Sequence, residues 1–333
     1  MSLTISKKIK FGLSFIFVIF LIIIVSIISL AKGSVYIPNE DIWLAIFKKG
    51  ELINQTIIWE LRLPRLICSL LVGSSLGMSG ALLQGMLKNG LASPYLLGIS
   101  AGSGLVIVFF ISFGLLQNFI PFAAWMGAIL TTLIVFILSN DGNKIVVERL
   151  VLGGVAISSL FGAIQATLLL QVEEGRIQAA LNWLIGSLNS RGWQEINFAA
   201  LPILIALLIG LFLSRQLNLL SLGDELSVSL GNSLLRSRCL IGAIATLLTA
   251  CAVSIGGLIG FVGLIVPHFS RLLIGNDFKY ILPFSALIGA LILSSADLIS
   301  RLGPIEMPVG IVTALVGAPV FMIILYKKTG YNK

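Results

Sequence analysis

Charge is scarce in this sequence. Of its 333 residues only 11% are charged, 57% are hydrophobic, and the mean hydropathy is +1.06. A soluble domain carries about 25% charged residues, so this chain has too little polar surface to coat its apolar mass. A bilayer is its solvent. Histidine is scarcer still: His268 stands alone, which excludes a multi-histidine metal site. The three cysteines, Cys68, Cys239 and Cys251, are odd in number, far apart and set in apolar runs. They read as small packing residues rather than a disulfide framework. The dipeptide Gly-Lys never occurs, so there is no GxxxxGK[ST] phosphate loop and no route to ATP hydrolysis by it. HExxH is absent too. Acids and bases are nearly missing from the apolar runs; Asp297 and Glu306 lie only near span ends, and His268 is expected at an end or turn. An ion-coupled carrier, the distant alternative, needs such groups within the membrane. What remains is a pathway without an engine.

What is present is a series of long apolar stretches. A membrane helix needs about 20 such residues. The charge-free run 89–140 is long enough for two, with a break expected between Gly114 and Pro121 around Gln117 and Asn118. The run 239–270 breaks near Gly256-Gly257. The expected architecture is an all-α polytopic membrane protein, 1–333, in one domain with ten spans. These run at about 11–31, 64–87, 92–113, 119–139, 147–171, 196–214, 239–257, 260–274, 280–299 and 308–326. An even count puts both termini on one side. With both ends cytoplasmic, 14 Lys/Arg fall inside and 8 outside, while 5 acids fall inside and 9 outside. That satisfies the positive-inside tendency and accounts for the net charge of +8 without invoking nucleic acid. The five tryptophans (Trp43, Trp59, Trp125, Trp183, Trp193) then fall at the outer boundary. The first apolar run, 21 residues long without a small-x-small end, reads as a span rather than a cleaved leader. Residues 32–65 and 173–195 are expected outside, and 215–238 inside.

Glycine is abundant, at 34 residues. Gly73, Gly77 and Gly80 have the spacing that lets helix backbones approach in lipid, and Gly153-Gly154 and Gly256 to Gly263 form further clusters. Pro94, Pro267 and Pro319 are candidate helix breaks around a pathway.

Several segments together resemble one family. They are LRLPRLICSLLVG (61–73), SGALLQGMLKNGLASPYLLGISAGSG (79–104), WLIGSLNSRGW (183–193), LNLLSLGDELSVSLG (217–231), GFVGLIVPHFSR (260–271), LPFSALIGALILSSADLISR (282–301) and MPVGIVTALVGAPVF (307–321). In this order they are similar to the permease subunits of ABC importers for iron–siderophores, haem and vitamin B12, the FecCD type. Two departures stand out. Asn89-Gly90-Leu91-Ala92 replaces the usual Asn-Pro-Leu-Ala, and Glu306-Met307-Pro308 replaces Glu-Leu-Pro.

The resemblance implies a type II importer architecture with ten spans and cytoplasmic termini, in a bacterial plasma or inner membrane. It implies a second permease subunit, identical or homologous, two ATPase subunits that bind ATP and Mg, and a binding lipoprotein or periplasmic protein. No cofactor, no metal and no catalytic residue is implied in this chain. The cargo it implies first is a ferric siderophore, with haem or vitamin B12 as alternatives. Arg62, Arg65 and Arg301 match arginines that dock the binding protein; Asp297 and Arg301, spaced i,i+4, also suit an internal pair. Leu222, Gly223, Asp224, Glu225, Leu226, Leu230 and Gly231 match the segment that couples to the ATPase, with Gly231 expected as the bend between two short helices. Asn89, Gly90 and Leu91, with Val147 and Glu148, match a cytoplasmic gate. His268 is expected to be a hydrogen-bonded structural residue at a span boundary.

Overall fold

The computed structural model describes residues 2–33, 35, 37–115, 119–142, 145–303 and 305–330. The expected break at Gln117 and Asn118 lies outside them. Among the described residues the chain is helical, with one isolated bridge between Asn140 and Ile145. The elements are α1 (Ser2–Ala31), α2 (Asn39–Ile46), α3 (Leu52–Thr56), α4 (Leu63–Met86), α5 (Ile99–Ser112), α6 (Ile120–Ser139), α7 (Val147–Leu169) and α8 (Glu174–Ile185). They continue with α9 (Trp193–Phe212), α10 (Ser214–Ser221), α11 (Asp224–Ser229), α12 (Leu234–Gly256), α13 (Val262–Ile274), α14 (Phe278–Ser300) and α15 (Val309–Gly330). Among the described residues seven helices are long and apolar enough to cross a membrane; Ile99–Ser112, Val262–Ile274 and Val309–Ile324 are shorter apolar segments.

α4 is the central post. Nineteen of its residues, from Pro64 to Met86, are buried, and it packs against α14, α12, α13 and α9. Its small residues explain this. A Cβ on Gly73 would strike the carbonyl of Gly289, one on Gly77 that of Ser285, and one on Gly80 that of Gly263. In lipid, where the solvent is as apolar as the side chains, close backbone approach holds helices together. Gly263 carries a further reason. Its carbonyl would normally bond the amide four residues on, but that residue is Pro267, which has no N–H. The freed oxygen faces the bare Cα of Gly80, where a Cα–H contact can use it. Pro267 therefore sits inside α13 rather than ending it, and His268 is a half-buried mid-helix residue, not one at a span boundary.

α3 passes into α4 through one wide π-helical turn, Ile57–Arg62. The extra residue in that turn changes the register and faces Arg62 onto the end of α1. The run 239–270 divides between α12, which ends at Gly256, and α13, which begins at Val262. Gly257, at φ 71°, makes the turn, and Trp183 O lies where its Cβ would be. The segment after α8 is sewn to both neighbours by backbone bonds: Leu258 N to Trp183 O (3.1 Å), Ser187 N to Gly256 O (2.9 Å) and Gly310 N to Gly186 O (2.9 Å).

Candidate functional site

The inner end, as the charge distribution orients the chain, is organised by Asp224. Gly223, at φ 110°, turns the chain sharply between α10 and α11 and leaves Asp224 as the first residue of α11. An acid there suits the positive end of the helix dipole. Its carboxylate accepts Lys88 Nζ at 2.8 Å and Arg238 Nη2 at 2.9 and 3.0 Å. Burial pushes the carboxyl up, but the bonds and charges of Lys88 and Arg238 outweigh it and hold it below the usual carboxylate range. Arg238, on the first turns of α12, is 3% exposed and also donates through Nη1 to Ile145 O at 2.9 Å. One carboxylate thus joins the end of α4, the loop before α7, the start of α12 and α11.

α10 is anchored separately. Leu217 and Leu220 are fully buried in the core with Phe278 and Ile281. Asn218 donates to Asp277 at 2.8 Å and accepts from Phe278 N at 3.0 Å, at the start of α14. α11 differs. Its flanking and own apolar side chains, Leu222, Leu226, Val228 and Leu230, are 53–58% exposed. Leu222 and Leu226 line a cleft of about 650 Å³ together with Lys88, Val147, Glu148, Asp224, Glu225 and Arg238 among others. A cluster of large apolar residues on a polar end marks a surface that another protein covers.

The outer end holds a second charge cluster, and it is buried. Arg65 donates to Asp297 Oδ1 at 2.8 Å and pairs with Glu306. Arg301 lies 3.2 Å from Asp297 Oδ2 and donates to Ser29 Oγ at 2.5 Å. Arg62 spends its guanidinium on α1, bonding Leu30 O (2.6 Å), Ala31 O (2.9 Å) and Val35 O (2.5 Å). Those of Leu30 and Ala31 are carbonyls that a helix end leaves without partners, so Arg62 caps α1 and also holds Val35 in the segment that follows it. Asp297 is 1% exposed, Arg62 5% and Arg65 8%.

Between the two ends lies a cavity of about 820 Å³. Leu76, Tyr95, Ile185, Leu258, Phe261 and Met322 are among its walls, and no lining residue is ionisable at neutral pH. Among the described residues no three His, Cys, Asp or Glu gather to hold a metal. Its apolar walls make this cavity the candidate for the passage expected from the sequence.

The FecCD transport family model matches residues 21–327. The chain belongs to the FecCD transport family. It is 34% identical over 339 residues to the "Probable siderophore transport system permease protein YfhA" of Bacillus subtilis, covering 96% of this chain and 98% of that one. It is 36% identical over 299 residues to the vitamin B12 import system permease protein BtuC of Vibrio cholerae, covering 88% and 89%. A solved ABC transporter in an inward-facing conformation, assigned to the metal-chelate type, superposes with a TM-score of 0.85 at 34% identity, covering 96% of this chain and 99% of that one. This FecCD chain is therefore a multi-pass membrane protein, the permease subunit of an ABC transporter, and not itself catalytic.

Of the residues expected to couple to the ATPase, Leu222, Gly223, Asp224, Glu225 and Leu226 come together at one cleft, which Val147 and Glu148 also line, while Leu230 lies outside its lining. Asn89, Gly90 and Leu91 are exposed, in the loop just past Lys88, and Asn89 Oδ1 accepts from Leu91 N at 2.9 Å. Gly231 is not the bend between the short helices. That bend is Leu222-Gly223, and Gly231 (φ 81°) lies in the link from α11 to α12. The three arginines expected to dock a binding protein are largely buried, and each bonds groups within the chain. Asp297 and Arg301 do pair. Sequence reading missed Lys88 as a partner of Asp224, because the two are 136 residues apart. Glu306 carried one signal: it lies near a span end, where an unpaired acid is costly.

Proposed function

We propose that this chain forms the membrane pathway of an ATP-driven importer for a ferric siderophore, with ten spans and both ends cytoplasmic. It works with a second permease, two ATPase subunits and an extracellular binding protein. The observation that carries this is the α11 surface. Its four exposed apolar residues fit a socket on another protein, and the polar contacts behind them reach the helices that bound the passage. A nucleotide-driven partner gripping α11 acts on α12 through Arg238, on α4 through Lys88 and on the loop before α7 through Ile145. A ligand biases a conformational equilibrium only through contacts that differ between states. Those contacts are the ones that must change.

Docking at the outer end is an exchange in this reading. Glu306 is 34% exposed by side chain, while Asp297 is 1% exposed. An acidic side chain of the binding protein replaces Glu306 on Arg65, and Asp297 stays. Arg62 and Arg301 hold the rim in place. The gate role of Asn89 to Leu91 and of Val147 and Glu148 belongs to the same proposal.

Among the described residues the passage has no charged wall with which to select a cargo, so selection falls to the binding protein. Radiolabelled ferric siderophore, haem and cobalamin supplied in parallel to a strain lacking this gene test the reading. Loss of siderophore uptake alone supports it. Loss of cobalamin uptake alone moves the chain to the cargo named for its Vibrio cholerae relative.

A further inference from the structure

A second cavity lies beside the passage. It has a volume of about 500 Å³, is open on one side and is bordered by α1 (Leu21, Val25), α13, α14 and α15. Of its lining residues only Ser295 and Thr313 carry a polar side-chain atom, and Thr313 Oγ1 already donates to Gly310 O at 3.0 Å. Phe261 alone borders both cavities. It stands at φ 66°, strained for a residue with a side chain, and its ring root packs where a Cβ on Gly317 would be. Phe261 is thus the partition, and the crevice is separate from the passage.

The crevice has a depth and a charged mouth. On α14 it runs from Leu291 to Ile299, and on α15 from Val312 to Val320. Eight residues at 1.5 Å each make about 12 Å, within the ~15 Å of one leaflet's hydrocarbon. Its outer limit lies two residues from Arg301, and exposed Lys32 follows Val25, the nearer of the two α1 residues that line it, by about two turns. The outer cluster behind that mouth holds three arginines against two acids, Asp297 and Glu306. With Lys32 the mouth is net positive.

We propose that this crevice is a binding site for one acyl chain of an anionic phospholipid, its headgroup at Lys32 and the net-positive rim. In a membrane an apolar groove of this size fills with the surrounding hydrocarbon, because empty space forfeits dispersion contacts along its whole lining. The charged mouth selects which lipid remains. The chain then wedges α15 against α13 and α14 from the side opposite the passage. Assignment to the outer leaflet rests on the proposed orientation; the site itself does not.

The test uses the intact transporter complex extracted in mild detergent. Native mass spectrometry should show one phospholipid per permease that survives delipidation. Val316→Trp with Val320→Trp fills the crevice from a half-exposed face of α15, and retained lipid should fall roughly tenfold, an expected loss of about 1.4 kcal/mol. A single Val316→Trp serves if the double variant assembles poorly. Its added fluorescence should be quenched by brominated phosphatidylglycerol well before brominated phosphatidylcholine at equal mole fraction. Equal quenching by the two, or lipid retention unchanged in the filled variant, overturns the proposal. So does a Val316→Cys disulfide to a second copy of the chain, which would make the crevice a subunit contact.

Discussion

The two ends of this permease each carry a charge cluster, and the clusters are built on opposite plans. At the outer end Asp297 is buried and shared by Arg65 and Arg301, while Arg62 caps α1. At the inner end Asp224 has a side chain 40% exposed, and the cleft before it stands open. A buried charge network tolerates little displacement, because moving one member strands the others in low dielectric. A half-exposed one can exchange partners, because water takes up what is released. The first is built to stay, the second to move.

Breaking the outer cluster should have the largest effect. Asp297→Ala leaves Arg65 and Arg301 facing each other in the protein interior. Removing one partner of a buried ion network costs about 3–5 kcal/mol. Monodisperse yield in detergent should collapse, whereas Asp297→Asn, which keeps an acceptor, should lose less. Should Asp297→Ala purify normally with unchanged thermal stability, the outer cluster is not what holds that end.

Breaking the inner cluster should spare assembly and abolish work. Asp224→Ala removes the carboxylate joining Lys88, Arg238 and α11. Reconstituted vesicles should keep ATPase activity and lose about tenfold or more of uptake, the equivalent of ~1.4 kcal/mol of coupling. Equal loss of both activities would make Asp224 a structural residue only.

The two glycines sharpen the inner side. Gly223 and Gly231 both hold positive φ, which a β-branched residue adopts at a cost of about 1–3 kcal/mol. Gly223 is the bend itself, so Gly223→Val should reduce uptake more than Gly231→Val. The reverse order would return the bend role to Gly231.

The smallest effect concerns acid. Asp224 is held below the usual carboxylate range, so its contribution is complete above that range and is lost as pH falls through the lowered value. Coupling should be flat near neutrality and fail only in acid. Lys88→Ala removes one of the influences that lower Asp224, so the acid limb of the uptake profile should shift to higher pH. Stability should change by no more than ~1 kcal/mol, since that pair is half exposed. An unmoved acid limb would detach Lys88 from the coupling.

How much was legible follows from the range of each interaction. The membrane class came from composition, and the close α4 packing from the spacing of Gly73, Gly77 and Gly80, because the absent Cβ is itself the contact. The expected coupling role of 222–231 came from resemblance alone, and the exposure of its leucines from the fold. Which glycine bends was not legible, since Gly223 and Gly231 flank α11 alike. The pairing of Lys88 with Asp224, and of Glu306 with Arg65, joins residues too far apart for any pattern. Arginines at the entry to a span look available to a partner. Only the fold shows α1 and α14 closing over them.

The central claim is that nucleotide moves the inner cluster while the outer one holds still. Pulsed electron paramagnetic resonance on the reconstituted complex tests it with two label pairs, Glu225 with Glu148 at the inner cleft and Leu61 with Ile305 at the outer rim. Trapping the ATPase with ATP and vanadate should shift the inner distance distribution and leave the outer one unchanged. An unmoved inner pair, in a complex shown to have trapped nucleotide, would contradict the account.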